Sequence, residues 1–69
     1  MKLYLIHTGY YDKTFGEGFY EQHTNIFIVA KNAYDAREKV KKTQDYIDKK
    51  MHIDGIKEIE NIDGYDIEL

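Results

Sequence analysis

Five side chains in this sequence are well suited to chemistry near neutral pH: His7, His23, His52, Glu21 and Asp54. An imidazole can take up a proton, release one or coordinate a metal, and a neighbouring carboxylate fixes which ring nitrogen is free to do so. Glu21 and His23 stand two apart in "EQH", and His52 and Asp54 two apart in "HID". Residues two apart share a side of an extended chain, so each pair can orient its imidazole as a general base or outer metal partner requires. The histidines are 16 and 29 residues apart, which is no recognised ligand spacing. Cysteine is absent, so thiolate sites and cysteine nucleophiles are excluded. Nucleophile-elbow, Walker and dinucleotide patterns are missing as well. "GEG" at Gly16–Gly18 has neither the lysine nor the following helix that would cradle a phosphate, and reads as a turn. The sequence on its own therefore assigns no catalytic residue, no metal and no cofactor, and points to binding without catalysis.

The second source of binding chemistry is aromatic. Seven tyrosines and three phenylalanines make up 14% of the chain. Tyr10, Tyr11, Phe15, Phe19 and Tyr20 crowd into one glycine-bearing segment with Lys13. Such rings can stack on a planar ligand, each stack contributing on the order of 1–3 kcal/mol. The expected ligand-binding set is Tyr10, Tyr11, Lys13, Phe19, Tyr20, Glu21, His23, His52 and Asp54. The plainer alternative is that the rings cover the sheet or a dimer contact.

The elements that must position these groups follow from periodicity. Residues 3–8 alternate as a first strand bounded by Gly9, and "NIFIVA" (25–30) is a second strand, apolar on both faces. Residues 31–50 read as one helix: Asn32 caps it, Asp35 complements its dipole, and Ala33, Ala36, Val40, Thr43 and Ile47 form its apolar stripe. His52 to Glu60 is a third strand, Asp63-Gly64 a tight turn, and "YDIEL" a fourth strand. A break in rhythm between Ile56 and Ile59 predicts a bulge there. The expected fold is α+β, a mainly antiparallel four-stranded sheet with one helix on one face, in the order β-β-α-β-β.

Sixty-nine residues make one domain, 1–69, and bury only about 60% of the surface that the unfolded chain exposes. One helix hides one sheet face, so a dimer or larger homo-oligomer is expected to cover the other. The net charge of −3 and the single basic run "REKVKK", which carries an acid, argue against nucleic acid polymers. No apolar run is long enough to span a bilayer, and the start lacks a signal-peptide cleavage site, so no membrane partner is expected. The lack of cysteine makes a cytoplasmic location the expectation.

The segments "MKLYLIHTGY", "EQHTNIFIVA" and "HIDGIKEIENIDGYDIEL" resemble a small bacterial and phage family, domain of unknown function 1543. Its most specific part is the last, a His-x-Asp followed by Asp-Gly-Tyr. The chain departs from the family pattern at Thr24, where an aspartate is usual, and in lacking a tryptophan near the helix end, where Tyr46 stands. The resemblance implies matching polar positions at Glu21, His23, His52, Asp54, Asp63 and Tyr65; the competing structural reading makes Asp63 a turn residue and Tyr65 a core residue. The function expected from these signals is non-catalytic binding of a small ligand by a homo-oligomer. By analogy of size and composition alone, the ligand would be a nucleotide-derived signalling molecule, sequestered as phage anti-defence proteins do. The alternatives are a protein-interaction module without ligand, or a small metal-dependent enzyme using the His, Asp and Glu residues.

Overall fold

Two long antiparallel strands dominate the chain. A computed structural model describes residues 1–69, with β1 at Lys2–Tyr11 and β2 at Glu21–Ala30 paired in register from Lys2↔Ala30 to Tyr11↔Glu21. β1 runs through Gly9 instead of ending there, and β2 begins at Glu21 instead of Asn25. Continuous pairing between two ten-residue strands outweighs the local weakness that glycine introduces. The connection holds a 3-10 turn at Gly16–Gly18, with Gly16, Glu17 and Gly18 all in the left-handed region.

Next come helix α1 at Ala33–Lys41 and a shorter helix α2 at Gln44–Asp48. The single helix expected from the sequence is therefore broken. Lys42 ends α1, and the Thr43 hydroxyl donates to the Val40 carbonyl at 2.7 Å, competing with helical pairing. The break shifts the phase of the apolar stripe. Ala36 and Val40 are buried and Tyr46 packs against them, whereas Ala33 is exposed and Ile47 is 55% exposed. The Asn32 cap holds as expected, its side chain accepting from the Asp35 N–H at 2.8 Å.

Strand β3 at His52–Glu58 pairs with the other edge of β1, giving a three-stranded antiparallel sheet in the order β2-β1-β3. The expected fourth strand does not join it. Short strands β4 at Asn61–Ile62 and β5 at Tyr65–Asp66 pair only with each other. Asp63 (φ 54°) and Gly64 (φ 82°) turn the chain, and Asn61 Oδ1 accepts from the Gly64 N–H at 3.1 Å. Two left-handed residues in succession tie this hairpin back on itself. Tyr65 is accordingly 75% exposed and is not a core residue.

The sheet has two unlike faces. Tyr4, Ile6 and Thr8 of β1, with Ile26, Ile28 and Ala30 of β2 and Ile53 and Ile56 of β3, face the helices. Ile6 and Val40 have no exposed surface, and each contributes about 1.5–3 kcal/mol by burial. Thr8 is equally buried and donates to the Thr24 carbonyl at 3.2 Å. Leu3, Leu5, His7, Gly9 and Tyr11 of β1 alternate onto the opposite face, beside Glu21, His23, Asn25, Phe27 and Val29 of β2. No helix covers that face, and no helix in the chain is long and apolar enough to cross a membrane.

Candidate functional site

The uncovered face carries the chemistry. His7 of β1 pairs with Asn25 of β2, Gly9 with His23, and Tyr11 with Glu21; on the other side Gly9 pairs with His52. Asp54 comes from an irregularity. Thr8 pairs with Ile53 but His7 pairs with Gly55, so Asp54 is the extra residue of a β-bulge. A bulge re-aims one side chain without ending the strand. Here it sets Asp54 beside His52 and His23 while keeping Ile53 and Ile56, three apart, on the core side. The expected irregularity exists, but at Asp54–Gly55 and not between Ile56 and Ile59.

The resulting contacts are short. His52 Nε2 lies 3.0 Å from Glu21 Oε1 and 3.2 Å from Asp54 Oδ1. His23 Nδ1 is 3.3 Å from Asp54 Oδ2, and its Nε2 is 3.5 Å from Glu21 Oε1. His7 stacks on His23, with ring centroids 4.9 Å apart and planes within 7° of parallel. His7 Nδ1 also meets Asn25 Oδ1 at 2.7 Å. When that nitrogen donates to the amide oxygen, Nε2 is left with the free lone pair. The Tyr11 hydroxyl donates to Glu21 Oε2 at 3.3 Å.

Glycine at position 9 leaves room for this convergence. A Cβ there would fall against Glu21 Oε1, 2.5 Å from His52 Nε2 and 2.7 Å from Asp54 Oδ2. Three donor atoms from three side chains thus close over the space that any larger residue would fill. Gly9 is required for this space and not for its backbone angles.

Electrostatics couple these groups. The Glu21 carboxyl is held below its ordinary range, first by the hydrogen bond from His52 and further by the charges of the two nearby imidazoles. Tyr11 is pushed up because the Glu21 charge opposes a second negative charge beside it. The site side chains are 30–45% exposed, and ion pairs at that exposure return only about 0–1 kcal/mol to stability. Ion pairs this exposed are thus a poor stability device. Two sets offer ligand atoms within 4.8 Å of one another, namely His7, His23 and Asp54, and Glu21, His52 and Asp54. The 3.0 and 3.2 Å separations around His52 Nε2 are hydrogen-bond lengths, and a tetrahedral zinc ion with bonds of about 2.0–2.1 Å would need its ligand atoms about 3.3 Å apart.

Of the nine residues expected to bind a ligand, Tyr11, Glu21, His23, His52 and Asp54 come together. Tyr10 alternates to the other face, where Lys49 Nζ sits 5.1 Å from its ring centroid. Lys13 lies in the connection and, with Tyr10, Tyr11 and Lys49, lines a cleft of about 330 Å³ that adjoins the cluster through Tyr11. Phe19 and Tyr20 pack edge to face at 5.0 Å and are 76% and 62% exposed, outside both cluster and cleft. Asp63, in the turn, and Tyr65, in β5, stay in the β4–β5 hairpin. Sequence reasoning gave His7 no partner and passed over Gly9 and Asn25. Only the β1–β2 register, which puts Asn25 opposite His7 and Gly9 opposite His23, could have found them.

The family model for Domain of Unknown Function (DUF1543) matches residues 18–69. The chain belongs to this family. The match takes in Glu21, His23, His52 and Asp54, whereas His7 and Gly9 precede it. No curated protein and no solved structure matches the chain.

Proposed function

We propose that this DUF1543 domain is a non-catalytic, metal-dependent small-ligand-binding protein whose site is the open face of its sheet. The observation that carries this reading is the convergence of Glu21 Oε1, His52 Nε2 and Asp54 Oδ2 over Gly9, with His23 and His7 stacked alongside. Mixed imidazole and carboxylate donors suit divalent zinc, cobalt or nickel. Asn25 and Tyr11 supply the outer hydrogen bonds that orient such ligands. Three protein donors leave a coordination position for an oxygen or nitrogen of a small molecule.

An anionic nucleotide approaching without a metal would meet the Glu21 and Asp54 carboxylates and be repelled. A divalent ion cancels those two negative charges and offers the anion a coordination position. A nucleotide-derived ligand, the class expected from the aromatic content, would then coordinate the ion and extend over Tyr11 into the cleft with Lys13 and Lys49. Isothermal titration with ZnCl2 tests the metal step. Micromolar or tighter binding that falls at least tenfold when His23 and His52 are both replaced by alanine supports it, and no heat from folded protein at millimolar zinc refutes it. Titrating cyclic and ribosylated nucleotides with and without zinc tests the ligand step, which requires binding in the zinc arm.

A second copy of the chain is the proposed cover for the remaining apolar part of this face. Phe27 and Val29 are 63% and 38% exposed beside Leu3 and Leu5. The accessible surface is 5251 Å², against about 4,500 Å² for a compact monomer of this mass.

A further inference from the structure

Two ligand sets meet on this face, and they share one residue. His7, His23 and Asp54 form the first, and Glu21, His52 and Asp54 the second. The carboxylate of Asp54 faces both, with Oδ1 3.2 Å from His52 Nε2, and Oδ2 both 3.3 Å from His23 Nδ1 and over Gly9 beside Glu21 Oε1. A carboxylate whose two oxygens face two separate imidazoles is placed as a bridge. We infer that the site holds two divalent ions, with Asp54 spanning them. The inference rests on the metal-binding reading above and specifies its stoichiometry and the class of ligand it takes.

The two sets have separate supports. His7 has its Nδ1 against Asn25 Oδ1, which leaves Nε2 free; because the His7 and His23 rings are stacked in parallel, one of them turns out of the stack for both to bind the first ion. Glu21 is fixed on the other side by the Tyr11 hydroxyl at Oε2, which leaves Oε1 to the second. The bulge matters here because Asp54 is the one ligand without a cross-strand partner. It can therefore stand between His23 from one edge of the sheet and His52 from its own strand. Charge decides what binds next. Two divalent ions bring four positive charges, Glu21 and Asp54 bring two negative ones, and the neutral imidazoles bring none. The net excess of two favours an oxyanion. Paired ions about 3.5–4 Å apart bind such a group through two oxygens at once. A phosphate-bearing small molecule satisfies this arrangement.

Calorimetric titration with ZnCl2, with native mass spectrometry of the zinc-loaded full chain, measures the number of ions per chain. Two are expected. His7→Ala and His52→Ala each remove a ligand from one set only, so each is expected to retain one ion. Asp54→Asn is expected to weaken both ions at least tenfold. Circular dichroism checks that all three variants, altered at exposed positions, remain folded. Inorganic phosphate is expected to bind the wild type only in the zinc-loaded form. One ion per wild-type chain overturns the bridge while leaving metal binding intact, and no ion overturns both readings. Two ions that survive in both His7→Ala and His52→Ala would place the metals elsewhere and also overturn it.

Discussion

Gly9 sits where a methyl group would do the most harm to the site and the least to the fold. The atoms that a new Cβ would meet are the far ends of Glu21, His52 and Asp54, which are partly exposed and can swing away. Gly9→Ala is expected to weaken zinc binding at least tenfold in a calorimetric titration. Its melting temperature should stay within about 3 °C, because alanine is no worse than glycine in a strand. An unchanged affinity would show that the ions do not lie over Gly9. Asp12 offers a pH test away from the metal ligands. Its carboxyl is held below the ordinary range by hydrogen bonds from the Thr14 hydroxyl at 2.7 Å and the Thr14 N–H at 2.8 Å. With the folded value depressed, the turn's stabilisation is present above the unfolded value of about 3.9. It is lost as pH falls through the lower folded value. A carboxyl NMR titration should place the Asp12 midpoint below that of an unfolded chain, and Thr14→Val should move it upward; a wild-type midpoint at the ordinary value refutes the contact. The paired spacings of Glu21 with His23 and of His52 with Asp54 were legible in the sequence, because alternation depends only on extended backbone. The role of His7 was not, because it depends on which residue of another strand lies opposite.

At the scale of elements, local signals were read well where they acted locally and poorly where pairing decided. The Asn32 cap needs only three following residues, and it formed as expected. Asn32→Ala is expected to cost about 1 kcal/mol, seen as a fall of roughly 4–8 °C in the melting temperature of a domain this small. A fall below about 1 °C would mean that the cap contributes nothing measurable. β1 continues past Gly9, although glycine weakens a strand on its own, because ten consecutive β2 partners hold it. The segment "YDIEL" has strand periodicity but does not pair with the outer edge of β3, which stays open. The Asp63-Gly64 turn returns it onto β4, two residues long, instead of onto the main sheet. The helix break at Lys42–Thr43 was hidden because threonine fits the stripe by spacing, and its hydroxyl bond to Val40 is invisible to periodicity.

The whole molecule is a slab of 42 × 25 × 15 Å with a radius of gyration of 13.7 Å, against about 11 Å for a compact chain of this length. One helical layer on one sheet makes such a shape. Light scattering on a sizing column is expected to report a dimer or larger at micromolar concentration, and Phe27→Asp is expected to shift it toward 8.2 kDa. A wild-type protein that runs as a stable monomer refutes the proposed cover. Because every proposed ligand lies on the face away from Ile6 and Val40, EDTA at neutral pH is expected to leave the far-UV circular dichroism spectrum native. A spectrum that collapses on chelation and recovers with zinc would make the metal a structural one.

The site is drawn from three strands, and Glu21 and His52 meet although 31 residues separate them. An unfolded chain keeps only the local pairs Glu21–His23 and His52–Asp54, so a ligand that needs the whole site binds the native state far more tightly. Mass action then adds RT ln(1 + [L]/Kd) to stability, about 2.7 kcal/mol at a hundredfold excess over Kd. Heat resistance thereby becomes a meter of occupancy. A thermal-shift screen over metal salts, and over pairs of a metal salt with a phosphate ester, can rank ligands without an assay for any reaction. A pair that raises the melting temperature beyond the sum of its two members would mark a ternary complex.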